Sequence, residues 1–139
     1  MFEGSRFGKT VDILHRSLDV ETLRRQVIAD NIANADVPNF KRSTVNFEAS
    51  LKRALDSEKY VPSLELAVTH PGHIGDDKPI DYRTVGPRRV LDYLSTAKNN
   101  GNNVDPEEEA MASLKNQLMY TLETQAINFQ FGQVNLVLR

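Results

Sequence analysis

The sequence predicts a mainly α-helical protein in which long N-terminal and C-terminal helices pair as a coiled coil. Two stretches, residues 7–35 and 106–138, repeat apolar side chains at the spacing of a helix face. Between Tyr60 and Asn103, by contrast, the chain holds four of its six prolines and four of its seven glycines. These residues interrupt long helices, so we expect a short third helix and a Pro/Gly-rich middle segment of loops or weak β structure.

The first predicted helix covers residues 7–35. With one small phase shift, its apolar side chains recur every three or four positions; they are Phe7, Val11, Leu14, Leu18, Leu23, Val27, Ile28 and Ile32. Pro38 disfavours helical geometry at Val37, and Asn34 is expected to adopt the left-handed conformation that closes many helices. The chain should therefore leave the helix near Asn34 and become extended at Phe40.

A second, short helix is predicted in the middle of the chain. Phe47, Leu51 and Leu55 are spaced by four residues, and charged side chains lie off this stripe. Residues 64–68 and 80–85 alternate weakly between apolar and polar side chains. These two segments are candidate strands, although neither pattern fixes a sheet.

The last predicted helix follows a linker-like run of asparagines and glycine. Asp105 is placed to cap it, Pro106 suits its first position, and the glutamates at 107–109 suit the positive end of the helix dipole. Two apolar stripes then run along adjoining faces. The first contains Met111, Leu114, Leu118, Leu122, Ala126 and Phe129, and the second contains Ile127, Phe131, Val134 and Leu138.

This C-terminal helix is expected to project beyond a compact core. At 1.5 Å per residue it would be about 50 Å long, whereas a compact globule of this size is about 37 Å across. From Asn116 to Leu138 the only charged side chain is Glu123, and Asn, Gln and Thr fill the other polar positions. Such a surface suits contacts with several protein neighbours. Burial in lipid would leave the amides unpaired.

Two sets of candidate contact residues follow from the paired helices. The expected seam between the two helices of one chain contains Leu18, Ile28, Ile32, Leu114, Leu118 and Leu122. The expected contacts with other subunits involve Phe129, Phe131, Val134 and Leu138. The members of this second set cannot all face the N-terminal helix, because they lie on adjoining stripes of one helix.

Composition disfavours several functional classes. The net charge of −2 and the pI near 5.9 give no bulk attraction to nucleic acid or anionic membrane. The chain has no cysteine, which excludes disulfides and thiolate chemistry. No run has the length of a membrane span or of a Sec signal, so we expect any export to use a route without a cleaved signal.

No catalytic, cofactor or metal site is predicted. His70 and His73 precede two aspartates at 76 and 77, but the Pro-Gly pair between the histidines prevents helical presentation of both rings on one face. A polar turn is the simpler interpretation. The glutamates at 107–109 are explained by the helix dipole rather than by acid–base catalysis.

Four separated motifs resemble those of the flagellar basal-body rod proteins. Asn31, Asn34, Pro38, Phe40 and Lys41 match Asn-x-x-Asn-x-x-Thr-Pro-Gly-Tyr-Lys, with Val37 for Thr, Asn39 for Gly and Phe40 for Tyr. Thr69, Pro71, His73 and Ile74 resemble the central Thr-x-Pro-x-His-Ile/Leu turn, and Asn116, Gln117 and Tyr120 resemble Asn-Gln-x-x-Tyr. The most specific element is the helix entry formed by Gly101, Asn102, Asn103, Val104 and Asp105.

The resemblance is closest to the proximal-rod subunits of the FlgB type and implies a structural role. Such a subunit would be exported through the flagellar type III apparatus and would stack helically in the periplasm-spanning rod of the basal body. Its partners would be copies of itself, other rod proteins and the export-gate/rod-base junction, without cofactor or nucleic acid. The implied organisation is an N-terminal rod-core helix at 1–40, a middle segment at 41–103 and a C-terminal rod-core helix at 104–139.

Two alternatives remain open at this point. A neighbouring short rod protein of the FlgC type is similar at both ends of the chain. A cytoplasmic helical adaptor or chaperone could use the same terminal helices on a single partner. An adaptor should be well folded alone, whereas a rod subunit should have mobile ends until it meets its neighbours.

Overall fold

The computed structural model describes residues 5–59, 69–73, 79–95 and 98–138. In chain order its elements are α1 (Arg6–Ala33), β1 (Ser43–Asn46), α2 (Glu48–Ser57), a 3-10 helix (Tyr82–Thr84), β2 (Arg88–Leu91) and α3 (Pro106–Val137). The strands β1 and β2 pair in a two-stranded sheet. The predicted mainly α-helical fold, with two long terminal helices and a short third helix, is confirmed.

The chain forms two compact units. The first comprises Met1–Val45 and Arg89–Arg139, and the second comprises Asn46–Arg88. The first unit brings together the two ends of the sequence, because α1 and α3 pack against each other within it. The division of the chain at residues 40 and 103 stays a prediction.

Helix α1 begins and ends with side-chain caps. The Ser5 hydroxyl accepts a hydrogen bond from the Gly8 N–H at 3.0 Å. At the other end Asn34 has φ −105°, so the expected left-handed conformation at this residue is wrong. Its backbone and side-chain nitrogens both donate to the Asp30 carbonyl, which satisfies the last turn without one. The left-handed residue is Asn39, with φ 60°.

Helix α3 begins as the sequence predicts. The Asp105 carboxylate accepts a hydrogen bond from the Glu107 N–H at 2.9 Å, and Pro106 occupies the first turn. The helix ends at Val137, one residue before the predicted end. Contact with α1 continues along α3 as far as Phe131, which packs against Phe7.

The second unit contains α2 and the 3-10 helix, which contact each other. Among the residues of this unit that the structure describes, the buried side chains are those of Phe47, Ala54 and Tyr82. The predicted strand at 80–85 is wrong, because Asp81 caps a 3-10 turn there by accepting the Arg83 N–H at 2.9 Å. The candidate strand at 64–68 lies outside the described residues. A hydrogen bond from the His73 N–H to the His70 carbonyl closes the expected polar turn.

Candidate assembly site: a polar clasp and an outward apolar stripe

The two most specific motifs meet in one structure, which we call the clasp and define as residues 34–39 and 98–104. Its centre is Asn102, which is fully buried. The Asn102 side-chain nitrogen donates to the carbonyl oxygens of Asn34, Ala35 and Val37 at 2.8–2.9 Å. Its side-chain oxygen accepts the Val104 N–H at 2.7 Å. One asparagine thus ties the turn after α1 to the entry of α3.

Two left-handed residues touch inside the clasp. Asn39 has φ 60° and Gly101 has φ 80°. The Asn39 N–H donates to the Asn100 carbonyl at 3.0 Å. A Cβ atom on Gly101 would lie 2.6 Å from the Asn39 side-chain oxygen. Position 101 therefore requires glycine for both its backbone angle and its space.

Two lysines reinforce the same connection. Lys41 donates through Nζ to the Gly101 carbonyl at 2.7 Å. Lys98 donates to the Ala35 carbonyl at 2.8 Å and forms an ion pair with Asp36 at 3.1 Å. Lys41 belongs to the motif that suggested the family, so the structure gives this residue a role in joining the two motifs.

Asn31, the first residue of the family motif, is buried where α1, β1 and α3 meet. Its side chain accepts the Ser43 N–H at 3.0 Å and donates to the Ser43 carbonyl at 2.8 Å, as a neighbouring strand would. The same nitrogen donates to the Glu109 carboxylate at 3.2 Å. A single amide therefore satisfies groups from three elements.

An ion pair that the motifs did not identify lies beside Asn31. Arg42 donates through Nε to the buried Glu109 carboxylate at 2.5 Å and pairs with Glu108 at 3.0 Å. Burial opposes the charged form of Arg42, yet the hydrogen bond and charge of Glu109, with Glu108 and Asp92, raise its pKa. The sequence analysis explained Glu109 by the helix dipole. The available signal for its buried contacts was the series Glu109, Asn116 and Glu123, whose neighbouring members are seven residues apart.

The seam between α1 and α3 differs from the expected apolar set. Ile28 is buried and Leu18 is half-buried, but Ile32, Leu114, Leu118 and Leu122 are 44–58% exposed. The side of α3 that faces α1 instead presents small and polar residues, including Ala112, Asn116, Glu123 and Ala126. Small side chains at these positions let the helices approach, and Leu114, Leu118 and Leu122 are left on the opposite face.

That opposite face forms the outer stripe, which we define as Met111, Leu114, Leu118, Leu122 and Phe129. Its members are 52–68% exposed. They lie three, four or seven residues apart and therefore share one side of α3. Contiguous exposed apolar surface of this kind marks a protein interaction site. The arrangement can bind apolar surfaces of other proteins.

The four residues predicted to contact other subunits occupy different environments. Phe129 is 63% and Leu138 79% exposed, and Val134 is half-buried. The Phe131 ring packs edge-on against Phe7 of α1, with ring centres 5.9 Å apart. Phe131 therefore contributes to helix pairing within the chain, in addition to the surface that it leaves exposed.

The described part of the chain offers no group of three or more His, Asp or Glu side chains that could hold a metal ion. Among the same residues, no helix combines the length and the hydropathy that crossing a membrane requires.

Comparison with known proteins identifies the family. The profile described as "Flagella basal body rod protein" matches residues 23–41, which include the Asn-Pro motif. The flagellar basal body rod protein FlgB of Borreliella burgdorferi is 46% identical over 96% of this chain and 98% of its own. FlgB of Borrelia hermsii is 47% identical with the same coverage, and FlgB of Bacillus subtilis is 30% identical over 96% of each chain. The chain therefore belongs to the FlgB family of flagellar basal body rod proteins.

Proposed function

We propose that this protein is a structural subunit of the proximal rod that binds its neighbours through the outer stripe of α3. The observation that carries the proposal is the exposure of this stripe on a helix with very few charges. Each large apolar side chain transferred from water into a contact contributes about 1.5 to 3 kcal/mol. Burial of the five outer-stripe residues against a neighbour would therefore favour assembly.

The neighbours are other rod proteins, further copies of this chain and the junction between the rod and the export gate. The exposed side of α1 presents charged and polar residues such as Asp19, Arg25 and Asp30. This composition suits contact with water. Because the exposed face of α1 is polar and that of α3 is apolar, neighbouring subunits are expected to pack against α3. The subunit would lie in the periplasm-spanning rod.

The alternatives are less well supported. The named relatives are FlgB proteins over nearly the full chain, which favours this type over the FlgC type. An adaptor for one partner would need one continuous contact face on the helix pair. Exposed apolar residues occur on more than one side of α3, since Met119 and Tyr120, which lie off the outer stripe, are 40% and 44% exposed. Several neighbours fit this distribution better than one.

The test combines Leu118→Ser and Leu122→Ser in one variant. It measures incorporation into basal bodies and swimming in cells that lack the native protein. Both should be lost, while the soluble level of the subunit stays normal because these side chains are exposed. Asn128→Ser with Asn135→Ser is the matched control, since both residues are exposed and polar on the same helix and lie off the outer stripe. Normal rods from the leucine variant would exclude the outer stripe as the assembly surface.

A further inference from the structure

Three polar contacts cross the seam between α1 and α3, and the α3 residues that make them are regularly spaced. On α3 the residues are Glu109, Asn116 and Glu123, which are seven positions apart. Glu109 accepts from Asn31 at 3.2 Å, and Glu123 accepts from the Ser17 hydroxyl at 2.5 Å. Seven residues are nearly two full turns, so the three α3 side chains lie on one line facing α1.

The middle contact pairs a buried glutamate with the only neutral member of that line. Asn116 donates to the Glu21 carbonyl at 3.0 Å and also to the Glu21 carboxylate. Arg24 binds the other oxygen of the same carboxylate. Glu21 and Asn116 are 2% and 4% exposed. Each oxygen of the buried Glu21 carboxylate therefore has a donor only when Asn116 lies opposite.

A helix pair with a seven-residue repeat can slide by one repeat and still align similar positions. Such a slip moves one helix by about 10 Å along the other. A slip in one direction would place Glu123 opposite Glu21, and a slip in the other would place Glu109 there. Two buried carboxylates would then lie against each other, and such a like-charge contact is unfavourable even with Arg24 bound to one of them.

We infer that Glu21 and Asn116 determine the register in which α1 pairs with α3. Buried polar residues are known to select register in coiled coils at a cost in stability. Here the order of side chains along α3 selects the register. The neutral Asn116 lies between Glu109 and Glu123, and Glu21 of α1 faces it. This inference does not depend on the proposed role in the rod.

The test measures the distance between spin labels at Gln26→Cys and Gln133→Cys in the full chain. Both positions are exposed, and the chain has no other cysteine. The labels start at different heights along the helix pair, so a slip lengthens or shortens their separation according to its direction. With the native seam we expect one distance. A broad distribution there would overturn the inference.

The decisive variant exchanges the pair, Glu21→Asn with Asn116→Glu. Every register then places the asparagine introduced at position 21 opposite a glutamate, so selection is lost. We expect additional populations displaced by about 10 Å. Gln117→Glu is the matched control, because it adds the same charge one residue away on an exposed position, and it should keep a single distance.

A second variant guards against loss of folding in the exchange. Glu21→Gln keeps the shape of the side chain and removes the like-charge penalty of both slipped registers. It should also produce the displaced populations, with helix content unchanged by circular dichroism. A single unshifted distance in the folded variants would overturn the inference and leave the register to the clasp.

Discussion

Glu109, in the first turn of α3, accepts a hydrogen bond from Asn31, which lies 78 positions earlier near the end of α1. Both side chains are almost completely buried. Their contact connects two of the four family-like motifs, since Asn31 opens the first and Glu109 lies four residues after Asp105, which ends the helix-entry motif. The motif residues therefore act mainly within the chain, holding the two terminal helices together.

Asn102→Ala should destabilise the folded subunit by about 2 to 4 kcal/mol, because it leaves several carbonyl oxygens of the turn after α1 without a donor in a buried site. Urea unfolding followed by circular dichroism measures this loss. Asn99→Ala is the matched control, since Asn99 is exposed in the same run. Equal unfolding midpoints for the two variants would contradict the central role of Asn102.

Alanine should have opposite effects at two glycines. Gly101→Ala should lower the free energy of unfolding by about 1 to 3 kcal/mol, because φ is 80° and the new Cβ would meet Asn39 at 2.6 Å. Gly132→Ala should raise it by up to about 1 kcal/mol, because Gly132 lies within α3 with open space around it. Thermal or urea unfolding of both variants checks the signs. A loss at both positions would contradict the difference in local geometry.

Neutralising two glutamates of the same helical turn in turn should distinguish the stability contributed by a buried ion pair from that contributed by the helix dipole. Glu109→Gln should cost about 1.5 to 3 kcal/mol, because it weakens a charge-assisted bond to Arg42. Glu107→Gln removes a similar charge from an exposed position and should cost no more than about 1 kcal/mol. The free energies of unfolding at neutral pH and low salt provide the comparison, and equal losses would assign Glu109 to the dipole alone.

The sequence predicted the helices well because their signals are local. The Asp105-Pro106 start and the Asn34 to Pro38 stop act through neighbouring backbone groups, and both lie within a residue or two of the structural boundaries. The contacts across the seam were less accessible. Apolar spacing alone placed Leu114 and Leu118 against α1, whereas partner side chains on α1 favour the polar line through Asn116.

The sheet shows the same limit. Strand β1 comes directly after the first motif. The Asn31 side chain makes two hydrogen bonds to the backbone of its first residue, Ser43. No alternation of side chains marks the four residues of β2, all of which are exposed. These strands arise from pairing between distant segments, which local patterns do not report.

Acid should weaken the turn after β2. The Asp92 carboxylate accepts from the Ser95 hydroxyl and from the backbone N–H groups of Leu94 and Ser95, and these bonds lower its pKa. A lowered pKa means that the stabilisation is present above the unfolded value of 3.8 and is lost as pH falls through the folded value. Asp92→Asn should therefore lower stability at pH 7 but differ little from the native chain at pH 2. A difference that is independent of pH would contradict this.

Variants of Phe131 and Leu138, near the end of α3, should distinguish effects on folding from effects on assembly. Phe131→Ala should destabilise the free subunit by about 0.5 to 1.5 kcal/mol or more, because it removes the edge-on contact with Phe7. Leu138→Ala should leave the free subunit almost unchanged, because this side chain is 79% exposed.

If both residues also meet neighbouring subunits, each variant should reduce incorporation into basal bodies, and the double variant should abolish it. Urea unfolding of the purified chain and counts of intact rods measure the two effects separately. Normal incorporation of Leu138→Ala would remove this end of α3 from the assembly surface, whereas loss of stability in the same variant would show that the free chain already covers Leu138.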